Sequence, residues 1–289
     1  MATLPTHAAA RSRESTQLAG SLVLTQRPES VLVLLRRIWG VKALILMLAR
    51  RDFFVRYRRA AFGLVWAVAL PAVQAAVIIT VFSHVVRIST QAPYVTFVFI
   101  GVVVWTFFST AVTAASTAIV DGQALASKIY FPRASLPIIA VGSSLIGFVV
   151  TLVLLLAVDA VNVTHVGIEI LLVAPAAILV VGLALGFGLV NSIAHVYFRD
   201  TRFVLQAAMI VWYYITPIFY PLTLVRGPLR AVILVNPVTG PVELLRASLV
   251  GADTSLALPL TISCGWMAVL ITGGLLLHAR FDRLVTDLL

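Results

Sequence analysis

Charged residues are scarce in this sequence of 289 residues. Only 11% of its positions are charged and 61% are hydrophobic, whereas soluble domains carry about 25% charged residues. So few charges cannot cover a water-facing surface, and we expect lipid to cover most of it. Cysteine is nearly absent as well. The single Cys264, inside an apolar run, excludes an intrachain disulfide and any metal site built from several cysteines.

Signatures of catalysis and of nucleotide binding are also missing. The five histidines are scattered, and the sequence contains neither HExxH nor GxSxG. A phosphate-binding P-loop needs a lysine that follows a glycine, but Lys42 follows Val41 and Lys128 follows Ser127. The acidic residues lie at the ends of apolar runs or between them, whereas ion-coupled transport usually places one inside a span. We therefore expect no enzymatic activity, no metal site and no cofactor in this chain.

What the sequence has instead is a series of long apolar runs. A helix needs about 20 predominantly apolar residues to cross a bilayer. We predict six such spans, at 64–86, 94–120, 136–158, 170–195, 203–225 and 255–279. This pattern predicts an all-α integral membrane fold with a six-span transmembrane domain over residues 60–289.

The basic residues predict the orientation of these spans. The net charge is +10, with nineteen arginines and only two lysines. Most of them flank apolar runs, which favours a role in membrane topology over nucleic-acid binding. Seventeen of the 21 lie before residue 64, in 121–135, in 196–203 or after residue 279. By the positive-inside rule, we predict that these segments and both termini are cytosolic.

The residues before the first span divide into two parts. Residues 1–30 are polar and mixed, and we interpret them as a flexible cytosolic tail. Residues 31–59 predict an amphipathic helix that lies in the membrane interface, with its arginines among the headgroups. One half of the helical wheel carries Arg36, Arg37, Arg50, Arg51, Arg58 and Arg59. A basic flank that only sets the topology is the alternative interpretation.

The segment 226–253, between the fifth and sixth spans, is broken by three prolines and three glycines. It contains two apolar pieces, 229–235 and 242–250, and each is too short to cross a membrane. Short broken helices at membrane depth occur where protein or a water-filled path covers them. We therefore predict a re-entrant helical hairpin on the outer side, with an ordinary extracellular loop as the alternative.

Small residues in the fourth span predict a close helix contact. Gly182 and Gly186 form a GxxxG motif, a spacing that lets two membrane helices approach closely. Packing within the chain is the default interpretation, and a contact with a second copy is the alternative.

Five segments follow one another in order along residues 50–289. They are RDFFVRYRRAAFGLVWAVALP at 51–71, SKIYFPRASLP at 127–137, VYFRDTRF at 196–203, YYITPIFYP at 213–221 and NPVTGPVELLRASLVG at 236–251. Together they resemble the membrane subunit of bacterial ABC exporters for polysaccharides and polyol phosphates. This family includes the exporters of O-antigen, teichoic acid and galactan.

The resemblance implies a permease that moves a lipid-linked polysaccharide or polyol phosphate from the cytosolic to the outer side of the inner (plasma) membrane. It also implies two copies of this chain and two copies of a separate cytosolic P-loop ATPase, which would bind the ATP and the magnesium. Alternatives are a drug or small-lipid exporter of the same superfamily and an ion-coupled secondary transporter. An intramembrane enzyme would need paired acidic or histidine residues within the bilayer, which the sequence does not offer.

The loop 121–135 corresponds to the family's coupling helix, which docks in a groove of the ATPase. The resemblance assigns this contact to Asp121, Leu125, Ser127, Lys128, Ile129, Tyr130, Phe131, Pro132 and Arg133. Phe198, Arg199 and Asp200 form either a second, smaller contact or a salt-bridged turn. Two aromatic rings flanked by basic residues suit a compact anchor with a polar rim. On the local sequence alone, interfacial aromatics beside topology charges are an equal alternative.

The resemblance also implies a substrate path between two copies, an outer gate and a surface that guides the lipid head group. Aromatic rings suit the path because they offer an apolar face to a sugar, although packing is the alternative for each: Trp66, Trp105, Phe108, Trp212, Tyr213, Tyr214 and Tyr220. Arginine suits phosphate recognition, which assigns head-group guidance to Arg50, Arg51, Arg56, Arg58 and Arg59. The outer gate comprises Asn236, Pro237, Glu243 and Arg246, and the last two have the spacing of a helical ion pair.

Overall fold

A computed structural model describes residues 30–58, 62–63, 65–82, 93–126, 131–162, 168–251 and 256–281. Every regular element in these ranges is helical, as predicted. The helices are α1 (Val31–Gly40), α2 (Lys42–Arg58), α3 (Val65–Val81), α4 (Tyr94–Asp121), α5 (Gln123–Ala126), α6 (Ser135–Asn162), α7 (Val173–Tyr197), α8 (Thr201–Ile215), α9 (Pro228–Val235), α10 (Thr239–Val250) and α11 (Ala257–Phe281). Short 3₁₀ turns occupy Ile168–Leu172 and Leu222–Leu224.

Four of the described helices, α4, α6, α7 and α11, are long and apolar enough to cross a membrane. They support a multi-pass membrane protein, but the described residues do not give six complete spans. The first predicted span appears as α3, which has 17 residues. The pair α9 and α10 passes the same test only when taken together as one bent span.

The fifth predicted span is shorter than its hydropathy indicated, because α8 ends at Ile215. Pro217 cannot donate a backbone hydrogen bond, and it disfavours helical geometry at Thr216, which is extended. Two carbonyls at the end of the helix share one side-chain donor. The Tyr220 hydroxyl donates to the carbonyls of Tyr214 and Ile215 at 3.2 and 3.0 Å, as a helix end away from water requires.

Helix α4 lies at the centre of the bundle. It packs against α3, α6, α7, α8 and α10, and side chains around its circumference are buried, from Val98 to Ala115. A helix that is apolar on all sides is expected in such a position. Gly188 of α7 faces Ala115 of α4 so closely that an added Cβ would lie 2.6 Å from the alanine Cβ. Small side chains therefore set the distance between the two central helices.

The GxxxG motif packs within the chain. A Cβ added at Gly186 would lie 2.7 Å from the Leu270 Cβ of α11, and one added at Gly182 would collide with Met267 of the same helix. The two glycines therefore allow α7 and α11 to approach closely. This resolves the alternatives left by the sequence in favour of an intrachain contact.

Replacing Gly186 with alanine is expected to destabilise the protein by about 1–3 kcal/mol, the usual cost of overpacking. The new methyl group would meet Leu270 and the backbone nitrogen of Ile271, which cannot both move away. Thermal unfolding in detergent measures this change. Gly273→Ala on α11 is the matched control, because a Cβ there meets nothing within 4 Å. Equal unfolding temperatures for the two variants would contradict the close contact.

The predicted interfacial helix 31–59 is two helices, α1 and α2, which meet at Val41. Gly40 precedes this break and has a poor helix propensity. Leu34 of α1 is buried in a cluster with Leu189 and Ala279, while Ala49 and Phe53 of α2 are buried next to α6. The N-terminal helices therefore pack against the bundle along one side and leave the other side exposed.

Candidate coupling surface and outer hairpin

The turns after α4 and α7 lie at the same end of the bundle. Ile119 near the end of α4 and Ile193 near the end of α7 form a buried cluster, against which Leu277 of α11 packs. Leu136, at the start of α6, lies beside Gly122. We call this the loop end. It brings together the two segments predicted to contact an ATPase.

The structure describes only part of the first predicted contact. Asp121 closes α4 and is exposed, and the Gly122 N–H donates to the Ala118 carbonyl at 2.9 Å. Phe131 is only 7% exposed, and Pro132 is also buried, whereas Arg133 is half-buried. The side chain of Leu125 and the residues Ser127, Lys128, Ile129 and Tyr130 lie outside the described part. Phe131 is therefore packed inside the chain, so its ring cannot be the surface anchor that the sequence indicated.

The second predicted contact is fully described and strongly exposed. Phe198 is 72% exposed, and Arg199 and Asp200 on either side of the turn are exposed as well. Backbone hydrogen bonds fix this turn: the Phe198 N–H donates to the Ala194 carbonyl at 2.8 Å, and the Thr201 N–H donates to the Phe198 carbonyl at 3.0 Å. A large ring held at the surface next to two opposite charges has the form of a docking anchor. The sequence ranked this turn as the smaller contact, because sequence alone does not show exposure.

The opposite end of the bundle carries the segment that was predicted to form a hairpin. Helices α9 and α10 are bent by 86° at a break that contains Asn236 and Pro237. The Asn236 carbonyl oxygen accepts from the Trp212 indole N–H at 2.9 Å, and its amide donates to the Thr216 hydroxyl at 2.9 Å. The Pro237 carbonyl accepts from the Ser263 hydroxyl at 2.7 Å. The break is thereby tied to α8 on one side and to α11 on the other.

A buried ion pair holds α10 in this arrangement. Arg246 is fully buried, and its guanidinium lies 2.6 Å from the carboxylate of Glu243, which is also buried. The same guanidinium donates to the carbonyls of Ile218 at 2.8 Å and Phe97 at 3.4 Å. It also lies 3.5 Å from the centroid of the Phe97 ring, a cation–π contact. The predicted pair is present, and it connects α10 to the start of α4 and to the segment after α8.

Most of the aromatic residues assigned to a path are packed inside the chain. Trp105 and Phe108 are buried, and they form one cluster with Trp212 and Tyr213 at centroid distances of 5.3–6.3 Å. Trp105 and Phe108 present almost no surface to a second copy, so packing explains these two, whereas Trp212 and Tyr213 are half-buried. Tyr220 is half-buried, with its hydroxyl bound to backbone carbonyls. Of the predicted set, Trp66 and Tyr214 have the most exposed rings, at 40% and 63%.

Four of the five arginines assigned to head-group guidance lie on α2. Arg50, Arg51, Arg56 and Arg58 are exposed, and Arg59 lies outside the described residues. Arg51 is 3.5 Å from Asp52. Since these guanidinium groups remain solvent-accessible, they are placed to contact anions at the surface.

Comparisons with known proteins place most of the chain in one transporter family. The sequence profile of the family described as ABC-2 type transporter matches residues 43–250. The O-antigen export system permease protein RfbA of Myxococcus xanthus is 27% identical over 194 residues, which cover 67% of this chain and 74% of that protein. A protein of the same name from Klebsiella pneumoniae is 25% identical over 198 residues, with 67% and 75% covered. The matched family region extends from α2 to the end of α10.

Proposed function

Because the chain belongs to the ABC-2 type transporter family, we propose that it is the permease of an exporter that carries a lipid-linked polysaccharide or polyol phosphate outward across the bacterial inner membrane. The observation that carries this proposal is the family match over α2–α10, together with relatives that are named as O-antigen export permeases. A drug or small-lipid exporter would share the family match. The polysaccharide is favoured because the relatives' names specify it.

ATP hydrolysis would take place on a partner subunit, and the ATP and magnesium would bind there. The loop end supports such a partner, because it presents the exposed Phe198, Arg199 and Asp200 at the same end of the bundle as Asp121. The basic residues Arg133, Arg199, Arg202 and Arg280 also lie at or near this end, which favours the cytosolic side. In this assignment Phe131 positions the loop from inside the bundle, while Phe198 and Tyr130 contact the partner.

The path for the glycan would lie between two copies of the chain. Helices α3 and α8 support this, since they expose apolar side chains such as Leu70 and Val73 on one and Ile210 and Val211 on the other. Tyr214 lies beside a groove of about 650 Å³ between α8 and α9, and Trp66 is on α3. The hairpin would close the outer mouth, with Glu243 and Arg246 holding it in place.

Replacing Phe198 and Tyr130 together with alanine is expected to reduce co-purification of a soluble P-loop ATPase by about tenfold or more. Truncating an aromatic anchor at an interface costs about 2 kcal/mol or more, and 1.4 kcal/mol corresponds to a tenfold change. The measurement is affinity purification in mild detergent from the native host. The wild-type chain is expected to bring down the ATPase.

Leu224→Ala is the matched control, because this exposed apolar side chain lies near the hairpin end. It is expected to retain the ATPase. An ATPase that accompanies the Phe198/Tyr130 variant as well as the wild type would contradict the coupling surface. The absence of any ATPase with folded, membrane-inserted wild-type protein would contradict the proposed function.

A further inference from the structure

A polar cavity lies where α2, α3, α4 and α6 meet, and it opens to the surface at its exposed lining residues Arg56 and Thr110. Its volume is about 60 Å³, and six of its fourteen lining residues carry hydroxyl groups: Tyr57, Thr106, Thr110, Ser143, Ser144 and Thr151. This space is large enough for several water molecules or for one small tetrahedral anion. Hydroxyl groups are costly to bury among apolar helices unless they find partners. The presence of six hydroxyl groups around one cavity therefore indicates that it binds a polar ligand.

Pro71 and Gly147 shape the cavity. Because proline lacks a backbone N–H, Pro71 leaves the carbonyl of Ala67, four residues earlier, without its helical donor. The Thr151 hydroxyl donates to the Gly147 carbonyl at 2.9 Å and lies 3.4 Å from the Ala67 carbonyl, with which it shares this one proton. Gly147 adds no side chain on the α6 side. Both residues line the cavity. The proline on α3 and the glycine on α6 therefore help to form the polar gap between these two helices.

Two of the lining hydroxyl groups have no partner within the described part of the chain. They are the Ser143 Oγ, on a fully buried residue, and the Thr106 Oγ1. The neighbouring Ser144 hydroxyl, in contrast, donates to the Ala140 carbonyl at 3.1 Å. An unpaired buried hydroxyl destabilises a protein unless something binds it. Ser143 on α6 and Thr106 on α4 can therefore both donate a hydrogen bond to the same ligand in the cavity.

The charge of the lining favours an anion. Arg56 of α2 lines the cavity, and none of the fourteen lining residues, all described, is acidic. Asp52, the acidic residue of α2, is 3.5 Å from Arg51. A guanidinium and two hydroxyl donors suit a phosphate, whose oxygens accept several charge-assisted hydrogen bonds at once.

The position of Arg56 on α2 favours a lipid headgroup over free phosphate as the ligand. Helix α2 exposes Arg50, Arg58, Phe54 and Val55 around its outward side, a mixture of basic and apolar residues that suits the level of lipid headgroups. We propose that this cavity binds the phosphate of a membrane lipid, with Arg56 pairing its charge and Ser143 and Thr106 donating hydrogen bonds. The site recognises the phosphate alone, so it does not depend on which glycan the exporter carries.

The test measures lipid retention by the purified, delipidated full chain with native mass spectrometry. The probes are a short-chain phosphatidic acid, the diacylglycerol with the same chains, and inorganic phosphate. The wild type is expected to retain one phosphatidic acid per chain and no diacylglycerol. Ser143→Ala combined with Thr106→Val, and separately Arg56→Gln, are each expected to weaken retention by about tenfold or more.

Two controls separate binding from folding. Ser116→Ala removes a buried hydroxyl that donates to the Thr113 carbonyl at 2.8 Å, and Arg226→Gln removes one exposed positive charge at the hairpin end. Both are expected to leave retention unchanged. The Ser143/Thr106 variant is also expected to unfold no earlier than the wild type without lipid, since the hydroxyl groups it removes have no protein partner.

Equal retention of phosphatidic acid by the wild type and the Ser143/Thr106 variant would overturn the proposal. Equal retention of diacylglycerol would do so too, because the site would then recognise only the acyl chains. Displacement by inorganic phosphate at the same concentration as the lipid would overturn the lipid assignment. The assay uses this chain alone, so its outcome is independent of whether an ATPase partner is found.

Discussion

Replacing Arg246 with methionine is expected to destabilise the protein by about 3–5 kcal/mol, the usual cost of removing one partner of a buried ion pair. Arg246 is fully buried, contacts the Glu243 carboxylate at 2.6 Å and donates to the Ile218 carbonyl at 2.8 Å. The substitution leaves a carboxylate without its counter-charge and a carbonyl without its donor. Thermal unfolding in detergent measures the effect.

Two further variants separate the charge from the shape of Arg246. Because Glu243→Met combined with Arg246→Met removes both charges, it is expected to be more stable than the single Arg246→Met variant. Arg246→Lys keeps the charge but loses the planar guanidinium that reaches Glu243 and Ile218 together, so it is expected to fall between Arg246→Met and the wild type. An Arg246→Met variant as stable as the wild type would contradict the role of this pair in holding the hairpin.

Replacing Phe108 with alanine is expected to cost about 3–5 kcal/mol of stability, as is usual for a large buried aromatic residue. The ring is fully buried and lies 5.3 Å from Trp212, 5.7 Å from Phe187 and 5.8 Å from Trp105, measured between centroids. Its removal leaves a cavity where α4, α7 and α8 meet. The same unfolding measurement gives the loss.

Tyr214→Ala is the comparison for Phe108, because Tyr214 is 63% exposed. It is expected to change the free energy of unfolding by about 0.5 kcal/mol or less, as for most surface substitutions. Under the proposed path it is expected to lower export instead. If Phe108→Ala left stability unchanged and lowered export, the ring would line the path, and its assignment to packing would be wrong.

Much of the fold follows from local patterns in the sequence. Uninterrupted apolar runs predict α4, α6, α7 and α11, and two short apolar pieces among prolines and glycines predict the broken pair α9 and α10. The fifth span was overestimated because hydropathy continues past Ile215, whereas Pro217 ends the helix. The break at Val41 was missed because Gly40 alone is a weak signal.

The candidate site was less predictable, because exposure and long-range contacts are not local properties. The i, i+3 spacing predicts the Glu243–Arg246 pair, but no local pattern indicates that Arg246 also binds the carbonyls of Phe97 and Ile218, which are distant in sequence. In the same way, Phe131 and Phe198 are both aromatic residues beside arginines. The packing of the helix ends buries Phe131 and leaves Phe198 exposed, and the local sequence does not show this difference.

The proposed export is tested most directly in inverted membrane vesicles that contain this chain and its co-purified ATPase. The measurement is the amount of lipid-linked glycan that becomes protected inside the vesicles after ATP is added. We predict that protection requires ATP, persists when an uncoupler collapses the proton gradient, and is lost when the Walker lysine of the ATPase is replaced. Protection that needs no ATP and disappears with the uncoupler would contradict an ATP-driven permease and identify an ion-coupled transporter.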